Sequence, residues 1–383
     1  MPTDREPIDL LMCAIARRSD NAEHQQIDRL AKQVRDWDLL LKLARDHRVV
    51  PILFSRLASM SPAVPSTVRE RLQAEYQRNV FHSLSNAAEL ISLLKKFDRE
   101  AIPAMPFKGV VLAASIYGDV TARSAGDLDI LIHYRHLTRA TAILLERGYE
   151  LSTPVSADAS PAVQDYYEYH FERPVDGMVV ELRWRLELTQ PRFRHNLGMD
   201  WVWPRRRIAI LAGAEVPDMD PEIKLLVLCM HGSKHVWSRL IWICDVAQLL
   251  ASFPGLDWDQ ATREAKRTGL WRALALGVLL AHRVADAPVP SAALRRFEAD
   301  ASALSLAQHI QEHLFEAPGS APSSRIPYNI QLLGFRDRLR LFLSLEFLRP
   351  NERDRAALPL PRALHALYYL VRPIRILLDR SAR

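Results

Sequence analysis

Only three cysteines occur in 383 residues, Cys13, Cys229 and Cys244, and none stands in a CxxC pair. An odd, sparse set of that kind excludes a disulfide-stapled scaffold and a cysteine zinc site, and it fits a reducing, cytoplasmic setting. Runs of about eighteen apolar residues are absent, which argues against a transmembrane helix. The start of the chain, MPTDREPIDLLMCAIARRSD, has no basic stretch leading into a long apolar one, so no secretory signal is read. Repeats of fixed period and low-complexity tails are missing as well. Charge of one sign is in small excess: 51 basic against 45 acidic residues, a formal net charge of +6. That surplus raises the local concentration of anions without choosing among nucleotides, nucleic acids and acidic lipids. Trp201, Trp203, Trp237 and Trp242 are not interleaved with a basic groove, so they read as packing, and there is no strong nucleic-acid signal.

What is present is a globular composition, 49% hydrophobic and 25% charged. Residues 8–100 repeat apolar side chains at three- and four-residue spacing, ending in a long helix over 66–99 that carries Leu72, Tyr76, Val80, Leu84, Ala88, Leu90 and Leu94. The texture changes over 104–186: a short apolar strand, the turn Lys108–Gly109, a helix stopping at Gly118, the strand LDILIH over 128–133, a helix ending at Gly148, then two strands flanking Asp176–Gly177. From Pro221 the pattern is helical again, broken by a Pro/Ser-rich loop over 316–329, with two last helices expected over 337–348 and 362–378. The expected organisation is a helical region over 1–100, an α/β core over 101–200 and a helical region over 201–383. The fold class is α+β, with one small mixed sheet between helical regions.

The segment Gly126-Asp127-Leu128-Asp129-Ile130 carries the chemistry. Residues two apart on a strand share a face, so Asp127 and Asp129 point together while Leu128 and Ile130 enter the core. An Asp-x-Asp pair alone is more often a solvated strand edge or a helix cap. Here it opens a strongly apolar strand and follows a strand-turn-helix unit whose glycine, Gly109, lets phosphate approach the backbone. Two carboxylates on one face call for a cation between them, and magnesium takes carboxylate oxygens together with phosphate and water. Glu181, interrupting the apolar run Val179-Val180-Glu181-Leu182, is the third candidate ligand.

FKGVVLAASIYGDVTARSAGDLDILI, VVELRW and HGSKHVWSRLIWICDVAQLL resemble the uncharacterised nucleotidyltransferase family of the DNA polymerase β-like superfamily. Lys108, Gly109, Arg123, Gly126, Asp127, Asp129, Glu181, His231 and Asp245 occupy matching positions, and the resemblance runs from about Trp37 to Leu250. It implies transfer of a nucleoside monophosphate from a nucleoside triphosphate to a hydroxyl-type acceptor on a small molecule or peptide, with release of pyrophosphate. It further implies two Mg2+ ions on Asp127, Asp129 and Glu181, with Glu181 able to take the acceptor proton. The superfamily usually has serine after the turn glycine, whereas Val110 follows Gly109 here. Backbone amides with Lys108 or Arg123 would then meet the triphosphate; Arg123 equally reads as the structural partner of an acidic neighbour. Two alternatives stand beside this reading: a catalytically silent nucleotide- or partner-binding protein of a biosynthetic cluster, and transfer of another phosphate-activated group such as a sugar.

Other residues carry competing readings. His231 and His235, four apart, share a helix face but lack the glutamate of a HExxH zinc site. Lys234, Ser238, Ile241 and Asp245 form a polar stripe if the helix is continuous, with Lys234 or His235 facing nucleotide or acceptor, or with Lys234 and Asp245 in a structural network. Arg183 and Arg185 share the Glu181 face, to bind an anionic acceptor or to pair with Glu181 and Glu187. Arg205–Arg207 reads as a solvated basic run.

Overall fold

In a computed structural model, the protein is described over residues 5–16, 21–57, 62–152, 167–186 and 197–316, with positions 328 and 332. The apolar periodicity of the first hundred residues folds as five helices: α1 (Arg5–Ile15), α2 (Asn21–Ala31), α3 (Trp37–Asp46), α4 (Val50–Leu57) and α5 (Ser66–Arg99). Asp36 caps α3 by accepting the Leu39 N–H at 2.8 Å. At the other end of α3, Val49 N–H reaches Ala44 carbonyl and Arg48 N–H reaches Arg45 carbonyl, closing a Schellman motif. The left-handed position of that motif, φ 57°, is filled by Arg48 rather than glycine. An L residue there costs about 1–2 kcal/mol.

In α5 the apolar stripe expected through Leu72, Tyr76, Val80 and Leu84 does not continue along the helix. Phe81 and Leu84 are exposed, and the buried face moves to Ser83, Asn86, Ala87, Leu90, Leu93 and Phe97. The middle of α5 bonds to a loop instead of packing on a core. Tyr76 hydroxyl meets Thr121 Oγ1 at 3.0 Å, Asn79 donates to Thr121 carbonyl at 2.8 Å and Asn86 donates to Ala125 carbonyl at 3.4 Å.

The sheet comprises β1 (Ala104–Pro106), β2 (Asp127–Ile132), β3 (Glu150–Leu151), β4 (Glu168–Arg173) and β5 (Met178–Arg183), in the order β1-β2-β5-β4-β3. Only β2 and β5 run parallel; the other pairs are antiparallel, so the sheet is mixed as expected. Between β1 and β2 lie α6 (Gly109–Leu112), one π-helical turn over Ala113–Tyr117, and the loop to Gly126; α7 (Leu137–Glu146) joins β2 to β3. Alternation sorts the side chains. Leu128, Ile130 and Ile132 join Val180, Leu182 and Phe171 in one core with Leu90, Leu93 and Phe97 of α5. The opposite face carries Asp127, Asp129, Glu181, Arg183, Glu168 and His170.

The chain continues through α8 (Met199–Val202) and a hairpin of β6 (Arg207–Leu211) and β7 (Ala214–Asp218). This hairpin is an addition to the one sheet expected from the sequence. Its turn is Ala212–Gly213, both at positive φ, with Ala209 and Leu211 turned inward. Then come α9 (Pro221–Lys234), α10 (Leu240–Ser252), α11 (Trp258–Thr268), α12 (Trp271–Ala285), α13 (Ser291–Glu298) and α14 (Ala301–His313). The stripe expected from Lys234 to Asp245 is interrupted: α9 stops at Lys234 and α10 starts at Leu240, because Val236 and Trp237 adopt positive φ. The restart is capped from a distance: His47 Nδ1 accepts the Leu240 N–H at 3.2 Å.

Two compact units divide the chain, Met1–Thr189 with Phe193–Ser323, and Gln190–Arg192 with Ser324–Arg383. All the helices and strands above lie in the first. The loop expected over 316–329 and the helices expected over 337–348 and 362–378 lie outside the described residues, apart from positions 316 and 328. Among the described residues no helix is long and apolar enough to cross a membrane. None of the three cysteines is in a disulfide.

Candidate functional site

The polar face of the sheet collects the three expected carboxylates. Asp129 on β2 and Glu181 on β5 are direct register partners, and Asp127 stands two residues before Asp129 on the same face. One oxygen from each lies within 4.8 Å of the others. The donors are all anionic oxygens, with no thiolate or imidazole among them, and that is the chemistry of a hard divalent cation. The residues present therefore fit a metal of that class.

Cations interleave with the carboxylates. Lys108 Nζ is 3.0 Å from Asp129 Oδ1, and Arg183 Nε is 3.2 Å from the same oxygen. Arg183 also bonds Glu181 and stands 2.8 Å from Glu168 Oε2. His170 lies 3.2 Å from Glu168 and 3.6 Å from Glu181. The local field splits the acids. Burial and then Asp129 push Asp127 above the usual carboxylate range, against Lys108, Arg48 and Arg123. Burial would also raise Asp129, but Lys108 and Arg183 outweigh it and hold that carboxyl well below the usual range. Glu181 is raised by burial and by Asp129.

Gly109 makes the turn between β1 and the site. Its φ is +57°, and a Cβ there would stand 3.0 Å from the Asp127 carbonyl oxygen. Both the backbone conformation and the close approach require glycine. Gly126 is exposed immediately before Asp127.

From α9, Lys234 reaches the same region. Its Nζ is 3.3 Å from the Tyr167 hydroxyl, and burial lowers its pKa, with Glu168, Arg183, Lys108 and Glu181 all close enough to act on it. Burial and then Glu168 push the Tyr167 phenol up to about 12, so it keeps its proton at neutral pH. His231 lies within electrostatic reach of Lys108 and Asp129; burial, then Lys108 and His235, hold it well below the usual imidazole range, hence neutral. His235 packs 4.7 Å from the His231 ring and stacks 5.0 Å from Trp242. The two histidines are thus engaged with an aromatic cluster, and among the described residues the metal-capable grouping is the carboxylate set.

Arg123 stands as the partner of an acidic residue, the second of its two readings. It is buried, its Nε donates to both carboxylate oxygens of Asp245 at 2.9 and 3.0 Å, and its Nη1 donates to the Ser124 carbonyl at 3.2 Å. Tyr117 hydroxyl completes the Asp245 shell at 3.0 Å. Asp245 therefore pairs with Arg123, while Lys234 stands 3.3 Å from the Tyr167 hydroxyl. Arg123 clamps the loop carrying Gly126 and Asp127 onto α10, while α5 clamps it from the other side.

Arg183 pairs with Glu181 as foreseen, and also with Asp129 and Glu168; Arg185 is exposed, and position 187 lies outside the described residues. Trp201, Trp237 and Trp242 are buried, in line with packing roles. Tyr167, Glu168 and His170 were missed by the sequence reading. The hairpin register places Glu168 opposite Arg183 and His170 opposite Glu181, so the ends of the two strands were a sufficient signal.

A family model described as uncharacterised nucleotidyltransferase matches residues 33–286. Among solved structures, an antigenic nucleotidyltransferase-like protein from Paracoccidioides brasiliensis is 20% identical, with 49% of this chain and 91% of that one covered and a TM-score of 0.31. No curated protein matches the chain.

Proposed function

Because the chain belongs to the uncharacterised nucleotidyltransferase family, we propose that it moves a nucleoside monophosphate from a triphosphate to a hydroxyl-type acceptor on a small molecule or peptide. The observation that carries this reading is the convergence of Asp127, Asp129 and Glu181 within 4.8 Å on one sheet face. These three would hold magnesium, which when bound supplies charge neutralisation to the triphosphate and its leaving group.

The chain's own groups do the rest. Lys108, 3.0 Å from Asp129, stands at the edge of the carboxylate set where its ammonium meets phosphate oxygens. The Gly109 turn and exposed Gly126 leave backbone open to the same phosphates. Lys234, near Glu168 and Glu181, and His235 behind it, form the wall facing nucleotide or acceptor. In the transfer, the acceptor oxygen forms a bond to the α-phosphorus. The bond from that phosphorus to the bridging oxygen breaks, and pyrophosphate leaves with the electron pair. The acceptor proton passes to Glu181, which lies on the acceptor side of the carboxylate set, and then to solvent. Arg123 acts on this site through the loop it clamps. Sparse cysteines, none in a disulfide, support a cytoplasmic setting.

The test is equilibrium binding of the four common ribonucleoside triphosphates and of nucleotide sugars, with and without magnesium, followed by pyrophosphate release in the presence of small-molecule and peptide acceptor pools. Magnesium-dependent triphosphate binding and pyrophosphate release, both lost in Glu181→Gln, support the reading. Turnover of a nucleotide sugar alone would assign sugar transfer. Binding without any turnover would assign the silent nucleotide binder.

A further inference from the structure

A cleft of about 660 Å³ is lined by Arg45 in the last turn of α3, by Arg48 just after it, by Glu75 and Arg78 of α5, and by the loop segment Ser124–Gly126 that runs directly into Asp127. A volume of that order suits one small organic molecule. Arg45 is neutralised by Glu75 at 2.7 Å. Among the described residues, Arg48 and Arg78 form no ion pair, which leaves two guanidiniums in the cleft. Arg48 is near enough to Asp127 for each charge to act on the other. The cleft lining ends at Gly126, the residue before Asp127, and contains none of the three carboxylates.

The backbone of Arg48 supplies an independent observation. Its left-handed conformation closes the Schellman motif of α3, a position where glycine carries no steric penalty and arginine does. At a residue whose side chain lines the cleft, an arginine kept where glycine would be unstrained is consistent with a use for that side chain. The fold itself would be served better by glycine.

We propose that this cleft binds the phosphate of a phosphate-bearing small-molecule acceptor, with Arg48 and Arg78 as its ligands. The proposal rests on the nucleotidyltransferase reading for the word acceptor, and on the cleft alone for the anion. Two guanidiniums, neither in an ion pair and Arg78 held by its Nε to the Ala74 carbonyl at 3.4 Å, match the two charges of a phosphate monoester. A phosphate seated there would place the rest of the molecule toward Gly126 and Asp127, where its hydroxyl meets the α-phosphorus.

The test is calorimetric titration of inorganic phosphate into the full chain saturated with magnesium and a non-hydrolysable triphosphate, with acetate as the monoanionic comparison. Phosphate should bind, and acetate should bind at least about tenfold more weakly. Arg48→Gly and Arg78→Gln should each weaken phosphate binding by about tenfold or more, and leave triphosphate affinity within about twofold. Arg48→Gly should also melt no lower than the parent, which a purely structural arginine would not allow. Unchanged phosphate affinity in both variants, no phosphate binding to the parent, or displacement of phosphate by the triphosphate would overturn the proposal. Equal or tighter acetate binding would overturn the phosphate assignment. Arg48-dependent phosphate binding in a protein that binds no triphosphate would sustain the anion cleft and sink the transferase reading.

Discussion

Replacing Arg123 with alanine separates a structural cation from a nucleotide ligand. Asp245 is 1% exposed and receives one hydrogen bond from Arg123 Nε, shared between its two oxygens, and one from the Tyr117 hydroxyl. Removing the guanidinium leaves that carboxylate buried with the phenol alone. Breaking one side of a buried ion pair costs about 3–5 kcal/mol, most of it the stranded charge. The Ser124 carbonyl loses its donor as well, so the loop leading to Asp127 loosens. Urea unfolding of the ligand-free protein, followed by tryptophan fluorescence, reads the loss directly. Asp245→Asn in the same background should recover part of it, because a neutral amide tolerates burial; coupling of about 1–3 kcal/mol is expected for groups in direct contact. Arg123→Lys should recover little, since an ammonium cannot bond both oxygens and the Ser124 carbonyl in the same geometry. The reasoning is refuted if Arg123→Ala unfolds within about 1 kcal/mol of the parent while triphosphate affinity falls tenfold or more. Arg123 would then belong on the phosphates, as its position before Gly-Asp-x-Asp first implied.

Three further perturbations test the frame. Burial lowers the His47 imidazole from 6.5 to about 4, while its Nδ1 must stay unprotonated to cap α10. The unfolded chain therefore takes up the proton first, so this contribution is complete above pH 6.5 and is lost as pH falls toward 4, about 3 kcal/mol in all. An NMR titration placing the His47 midpoint near 6.5 would contradict the capping contact. Gly109→Ala should weaken triphosphate binding, because its φ of +57° costs an L residue about 1–2 kcal/mol and its Cβ would crowd the Asp127 carbonyl; unaltered calorimetric affinity would remove the turn from the site. Gly232→Ala would put a Cβ 2.5 Å from the buried Trp237 ring, for a loss of about 1–3 kcal/mol by thermal melting, and a neutral result would mean the ring has room to move.

The sequence made β2 and its carboxylates legible because alternation leaves no choice: turning Leu128, Ile130 and Ile132 into the core forces Asp127 and Asp129 onto the other face. Glu181 followed from the same rule on β5, once the parallel pairing set it beside Asp129. The long helix α5 was readable in its limits but not in its buried face, since Asn79 and Asn86 serve a loop that no local pattern announces. The hairpin β6–β7 went unread because its turn is Ala-Gly rather than Asn-Gly, and because Ile208 and Ile210, which look like core, face solvent. The end of α9 at Lys234 was hidden for a similar reason: the positive φ values of Val236 and Trp237 answer to packing, not to residue type. Arg123 was marked in the sequence by its place before Gly-Asp-x-Asp, but its partner was not, and Arg48 was an ordinary arginine. Only three-dimensional placement sets one against Asp245 and the other in a cleft.

Asp127 gives the most direct test of the carboxylate site. Burial and Asp129 disfavour its charge in the ligand-free fold, so Asp127→Asn should melt no lower than the parent without metal. Binding to the folded state stabilises the parent by about 2.7 kcal/mol at a ligand concentration of one hundred times Kd. The measurement is the melting temperature of parent and Asp127→Asn with magnesium alone and with magnesium plus a non-hydrolysable triphosphate. The account predicts a clear rise in the parent and none in the variant. An equal rise in both would place the metal elsewhere and contradict the account.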